Sequence, residues 1–199
     1  MEEKNFRKIP HEEFLKYIDK LCDGLRKYIE ENKIKVDYIC PVLRGGAVAA
    51  VYISHKLNIV KFAPFQVKHV VYNDGRNECE MLFNPLDNLK IEKEKPVFLV
   101  VECMHSTGHS AGLCINEIKK RYPNSIILYV AVTKAYGYKG FEDIVSYEDF
   151  GFYYNRKNIE YSKEECEKLG IEYFNPLFSW ENFDIELNHP DDLEDNVFF

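Results

Sequence analysis

The run Val97-Phe98-Leu99-Val100-Val101-Glu102-Cys103-Met104-His105-Ser106-Thr107-Gly108-His109-Ser110 joins an apolar β-forming segment to an acidic residue, a polar loop and a Thr-Gly-x-Ser step. A helical pattern follows it, with apolar Ala111, Leu113, Cys114, Ile115 and Ile118. A buried strand that feeds a small-residue loop at a helix N-terminus is suited to an anion. Unpaired backbone N–H groups and the positive end of the helix dipole converge there. The hydroxyls of Thr107 and Ser110 add donors, so this loop reads as a phosphate site. Its plain alternative is a helix capped by Ser106 or Thr107, since caps use the same residue types. A second loop has related chemistry. Arg44-Gly45-Gly46 follows the apolar segment Tyr38-Ile39-Cys40-Pro41-Val42-Leu43. An Arg guanidinium pairs well with phosphate oxygens, and glycines let backbone N–H groups approach an anion. The alternative there is a tight strand-to-helix turn with a surface Arg.

These loops need elements to hold them. His11 to Glu31 has apolar residues at helical spacing: Phe14, Ile18, Leu21, Leu25, Tyr28 and Ile29. Asp37–Leu43 is expected as a short buried strand, Ala47–Leu57 as a small-residue helix and Ile59–Tyr72 as one or two strands. Asn73 to Asn77 is a turn by composition, and Glu80–Glu94 is expected to be irregular or a hairpin. Pro96–Val101 reads as a strand, Ser110–Arg121 as a helix and Ile126–Thr133 as a strand. Strands alternating with helices predict an α/β protein whose central parallel sheet has helices on both faces. Ligands of such sheets sit at the carboxyl ends of the strands, where Leu43–Ala47, Glu102–Ser110 and Lys134–Lys139 all fall.

The 199 residues, 46% of them hydrophobic, suffice for one substantial core. A net charge of −7 argues against nucleic acid or an anionic membrane as partner. No apolar stretch is long enough to span a bilayer, and no basic start precedes an apolar run. Cys22, Cys40, Cys79, Cys103, Cys114 and Cys166 form no C-x-x-C pair, which is expected of reduced thiols in a cytoplasmic protein.

From Phe14 to Phe152 the chain resembles the type I phosphoribosyltransferases, most of all the xanthine-guanine and hypoxanthine (6-oxopurine) branch. The motifs stand in the right order. Cys40 to Gly46 matches the family's pyrophosphate loop, and Val101 to Ser110 falls on its phosphoribosyl diphosphate (PRPP) signature. Tyr72 falls in its mobile flap. Thr133-Lys134-Ala135 falls where purine enzymes read the 6-oxo group, and Phe150-Gly151-Phe152 near where they stack a ring on the base. The resemblance implies a type I phosphoribosyltransferase fold. It implies transfer from PRPP to a purine base, as in purine salvage, with Mg²⁺ accompanying PRPP. Arg44, Gly45 and Gly46 would hold diphosphate; Ser106, Thr107, Gly108, His109 and Ser110 would hold the 5′-phosphate. Glu102 would bind the ribose hydroxyls and the metal of Mg–PRPP. Lys134, Phe150 and Phe152 would hold the base. The residues themselves leave plainer readings open: a solvated strand-end Lys134, core aromatics, and a bare turn at Tyr72.

The signature is altered in two places. The family carries two adjacent acids and then an Asp before Thr-Gly, the usual general base. Here the pair is Glu102-Cys103, and Ser106 takes the Asp position. A serine does not accept a proton at neutral pH as a carboxylate does, and a thiol suits Mg²⁺ poorly. His105 is the neighbouring replacement base, with a side-chain pKa suited to the task. Residues 1–152 are expected to form the core and 153–199 a C-terminal extension, a hood or interaction tail. A capping-box pattern, Ser162 with Glu165, opens a short helix over Tyr161–Leu169. The aromatic run Leu177-Phe178-Ser179-Trp180 would cover the base pocket or bury a homodimer contact. Asp191 to Asp195 reads as a solvated acidic end, and Val197-Phe198-Phe199 as an apolar tip. The functional expectation is a purine phosphoribosyltransferase. The alternative is an impaired relative that binds nucleotides or a partner.

Overall fold

The computed structural model describes residues 6–71, 77–155 and 161–181. The expected flap residue Tyr72, most of the turn after it, the acidic run 191–195 and the apolar tip 197–199 lie outside them. A six-stranded sheet has the order β4-β3-β2-β5-β6-β7. Its strands are β2 (Tyr38–Leu43), β3 (Phe65–Val71), β4 (Asn77–Phe83), β5 (Val97–His105), β6 (Ile126–Ala135) and β7 (Tyr147–Tyr154). All neighbours are parallel except β3 and β4, which form an antiparallel hairpin. The α/β sheet predicted from the alternation of elements is therefore present, and the return strand of the hairpin already starts at Asn77, expected as turn, and ends at Phe83.

Helices α1 (His11–Glu31) and α2 (Gly46–Leu57) cover one face, and α3 (His109–Arg121) the other. The α1 face buries Phe14, Ile18, Leu21 and Leu25, the helical repeat read from the sequence. Strand β5 divides its side chains between the two cores. Val97, Leu99, Val101 and Cys103 join α1 and α2; Phe98 and Val100 join α3. That division is the period-2 alternation of a central strand buried on both sides.

Two differences from the expected elements matter for the site. Strand β5 does not end at Val101 but runs on through Glu102, Cys103, Met104 and His105. The cause is non-local: β6 continues to Ala135, and pairing extends to Met104 with Thr133 and His105 with Lys134. A four-residue strand β1 (Phe6–Ile9) also pairs in parallel with β8 (Asn175–Phe178). The C-terminal aromatics are thereby tied to the start of the chain. Trp180 stacks on Phe178 at 5.0 Å and meets Phe14 of α1 edge-on at 5.0 Å. Between them, α4 (Lys163–Leu169) opens with the Ser162–Glu165 capping box seen in the sequence. All six cysteines are free thiols. No helix among the described residues is long and apolar enough to cross a membrane.

Candidate functional site at the sheet switch point

The sheet order changes direction between β2 and β5. From β2 the chain moves outward to β3, whereas from β5 it moves the other way to β6 and β7. A crevice opens outside the carboxyl ends of strands at such a point, and ligands of open α/β sheets bind there. The helices that follow these two strands, α2 and α3, begin at this edge. Neither has a side-chain cap or an acid in its first turn. By contrast, α1 carries Glu12 and Glu13 and α4 carries Glu164 and Glu165 in that position. Acids there would compensate the positive helix end. At α2 and α3 that compensation is missing, which leaves the positive helix ends without a nearby acid in the first turn.

The α2 loop is set by backbone contact. A Cβ on Gly46 would collide with the Val101 carbonyl oxygen and lie 3.2 Å from the Glu102 Cα. Only glycine lets α2 start this close to β5. Gly45 lies beside Cys103, whose Cβ a side chain at Gly45 would meet at 3.1 Å. Arg44 is exposed at the loop tip, the Leu43–Arg44 peptide is cis, and the Ala47 N–H donates to the Arg44 carbonyl at 3.1 Å. Arg44, Gly45 and Gly46 thus stand next to the end of β5.

The α3 loop is built differently. Its N-cap is Gly108, in the left-handed region at φ 78°, rather than Ser106 or Thr107. Thr107 and His109 are exposed, while Ser106 and Ser110 are half-buried. Beneath Gly108 lies the ring of His105: a Cβ on Gly108 would come within 2.9 Å of its Cε1. His105 is fully buried, so it is not the exposed loop base expected from the sequence. Its Nδ1 lies 2.9 Å from the Tyr129 hydroxyl and its Nε2 2.8 Å from the Lys139 carbonyl oxygen. Burial lowers its pKa to about 4. A ring with both nitrogens engaged inside the core does not reach a substrate proton. The physical reason for the difference is the extra length of β5, which turns this side chain under the loop rather than out of it.

Glu102 and Cys103 separate for the same reason. Adjacent residues of an extended strand point to opposite faces. Cys103 joins the core beneath α1 and α2. The Glu102 carboxyl and the Tyr129 hydroxyl are hydrogen-bonded at 3.1 Å, and Tyr129 belongs to the α3-side core. Burial pushes the Glu102 carboxyl up to about 7, with the Tyr129 hydrogen bond opposing. This does not fit a protein-held Mg²⁺, which wants ionised oxygen ligands. The described residues contain no group of three His, Cys, Asp or Glu able to hold a metal.

The expected base-binding residues also part company. Lys134 is only 8% exposed and is no solvated lysine; its Nζ lies 4.4 Å from the centroid of the Phe150 ring. Phe150 is buried on the α3 side, edge-on to His105 at 5.6 Å. Phe152 is buried on the other side, 4.4 Å from the ring of Tyr17. The strand is locally irregular at Gly151, with the register to β6 the same on either side. The Lys20 ammonium donates to the carbonyls of both Phe150 and Gly151, at 2.8 and 2.9 Å. Successive carbonyls of a regular strand point apart, so this double contact marks the irregularity. Lys134 and Phe150 are brought together; Phe152 is not with them.

Tyr129, Lys20 and Glu148 are structural members of this region that the sequence did not single out. Glu148 accepts from the Phe141 N–H at 2.6 Å and so ties down the β6–β7 loop. Tyr129 sits in an unbroken apolar strand and reads as core; its one signal is a phenol, which needs a partner when buried.

No protein-family model and no curated protein matches the chain. Solved structures do. The chain is similar to a purine phosphoribosyltransferase from Pyrococcus horikoshii Ot3, with 19% identity, TM-score 0.61 and coverage of 89% of this chain and 95% of that one. It is similar to the Helicobacter pylori xanthine-guanine-hypoxanthine phosphoribosyltransferase, with 14% identity, TM-score 0.58 and coverage of 91% and 96%. A hypothetical protein from Neisseria gonorrhoeae with bound ppGpp aligns with 16% identity, TM-score 0.68 and coverage of 94% and 96%. The chain has the fold of the type I phosphoribosyltransferases.

Proposed function

We propose that the chain is a phosphoribosyltransferase-like protein that binds PRPP at the switch point. It transfers the phosphoribosyl group to a purine base, a 6-oxopurine by preference, and releases diphosphate. The observation that carries this is the pair of uncapped, acid-free helix starts on adjacent strands β2 and β5. PRPP has an anion at each end of a ribose, and these are two anion sites on neighbouring strands. Arg44, Gly45 and Gly46 take the diphosphate. Thr107, Ser110 and the backbone of Gly108 and His109, with Ser106 beside them, take the 5′-phosphate. Glu102, among the last residues of β5 between the two loops, serves the ribose hydroxyls. Lys134, on the ring of Phe150, is the donor for a base carbonyl.

Catalysis in this arrangement rests on positioning and on electrostatic support of the departing diphosphate. The missing Asp at Ser106 removes the proton acceptor, and buried His105 does not replace it. Loss of a general base costs about 10²–10⁴-fold in rate, so slow turnover is expected. Serine at position 106, where the resemblance expects an acid, also favours a second reading, a nucleotide-binding protein without turnover. The Neisseria protein, with its bound ppGpp, supports a nucleotide ligand on this fold.

One assay separates the two readings. Purified protein is incubated with PRPP, Mg²⁺ and guanine, hypoxanthine, xanthine and adenine, and products are read by mass spectrometry. A nucleoside monophosphate above the no-protein control, raised further by Ser106→Asp, establishes the transferase. No product from either protein, with ppGpp or a nucleotide bound by calorimetry, establishes the binding protein.

A further inference from the structure

Three contacts run in series beneath the α3 loop. The Glu102 carboxyl meets the Tyr129 hydroxyl at 3.1 Å, that hydroxyl meets His105 Nδ1 at 2.9 Å, and His105 Nε2 meets the Lys139 carbonyl at 2.8 Å. Tyr129 and His105 are both fully buried, so no solvent replaces a lost partner. The Phe141 ring stands edge-on to both, at 5.0 Å from Tyr129 and 5.3 Å from His105. We propose that Tyr129 and His105 are positioning residues that lock the Glu102 carboxyl to the β6–β7 loop, linking the ribose side of the site to its base side. This rests on the PRPP reading given above.

The proton count makes the chain directional. A carbonyl only accepts, so His105 Nε2 carries a proton. In a neutral ring Nδ1 then accepts, and the Tyr129 hydroxyl donates to it. With its one proton spent, the phenol oxygen accepts a hydrogen bond from the protonated Glu102 carboxyl. Each contact has one proton and no donor is left over. The ionised alternative, with Tyr129 donating to the carboxylate, fills the same contacts only if His105 is doubly protonated. Either way the orientation of one member fixes the others. The far end of the chain is anchored twice, because Glu148 also holds the Phe141 N–H at 2.6 Å.

The test is a double-mutant cycle on PRPP affinity, read by calorimetry with Mg²⁺ present. Tyr129→Phe keeps the ring and removes only the hydroxyl; Glu102→Gln keeps the shape of the carboxyl. Each single change is expected to weaken PRPP about tenfold, and the double change no further, because coupled neighbours are not additive. Affinity for inorganic diphosphate, which has no ribose, stays at the wild-type value. Additive losses, or an equal loss of diphosphate affinity, overturn the proposal while leaving PRPP binding in place. A wild type that does not bind PRPP overturns both the functional reading and this role. Where Tyr129→Phe fails to fold, the wild type decides by ¹⁵N spectroscopy of His105. PRPP must shift its ring nitrogens, and unmoved resonances overturn the proposal.

Discussion

The starts of α2 and α3 lie side by side at one sheet edge, yet they are held by different physics. At α2 the fit is backbone against backbone, with Gly46 against the Val101 carbonyl and no space for a methyl group. At α3 the loop rests on side chains, with Gly108 over the His105 ring and a polar chain reaching Glu102. The first kind of site depends on glycines and is rigid. The second depends on a buried network and carries its protonation state with it. Of the two residues that differ from the signature, Ser106 falls on the second loop, whereas Cys103 lies beside Gly45 of the first.

Four substitutions bear on this comparison. Gly46→Ala has the largest effect, about 3 kcal/mol or more of stability with loss of diphosphate binding, since backbone does not yield as a side chain does. Chemical denaturation measures it; a loss under about 1 kcal/mol would break the backbone-contact account.

Glu102→Gln probes the network through pH. Glu102 has its pKa raised by burial from 4.5 to about 7. A raised carboxyl contributes stability fully below the unfolded value and loses it as pH rises through the folded one. The wild type is therefore expected to lose about 2–3 kcal/mol relative to Glu102→Gln between about pH 5 and pH 8. In the folded protein His105, lowered to about 4, titrates below this window. Its own lowered pKa contributes stability above its unfolded value that is lost as pH falls through about 4. Parallel stability curves for the two proteins would remove the buried carboxyl from the account.

Gly108→Ala puts a side chain at φ 78° and 2.9 Å from His105. It is expected to cost about 2 kcal/mol. Because a side chain rather than backbone lies beneath, the loss is smaller than at Gly46. Equal losses at the two glycines, measured by denaturation, would erase the distinction between the loops. Gly112→Ala is the smallest and has the opposite sign. A Cβ there meets Phe141 at an ordinary 3.4 Å, and the position is inside α3. Thermal melting should show a gain of about 0.5–1 kcal/mol.

Much of the fold was legible because it is written locally. The spacing of Phe14, Ile18, Leu21 and Leu25 marks α1, and Ser162 with Glu165 marks the start of α4. The Arg44-Gly45-Gly46 loop was legible for the same reason, since its glycines answer to one close approach. What the sequence hides is set by distant partners. Glu102 to His105 look like a polar loop, and only pairing with the far end of β6 makes them strand. Phe150 and Phe152 look like one pair, yet they enter opposite cores at a point where Lys20, on another element, holds the carbonyls of Phe150 and Gly151. Gly151 was the local clue, since glycine inside a strand often marks a close approach of another backbone, here that of Val132. Pairing of β1 with β8 is likewise invisible in either four-residue segment.

The central claim is that two anion sites on adjacent strands hold the two ends of one ligand. Calorimetry with Mg²⁺ tests it most directly, by titrating PRPP, diphosphate and ribose 5-phosphate separately. If both loops engage one molecule, PRPP binds more tightly than either fragment by about 10²-fold or more. PRPP binding no tighter than the better fragment would contradict the two-loop account.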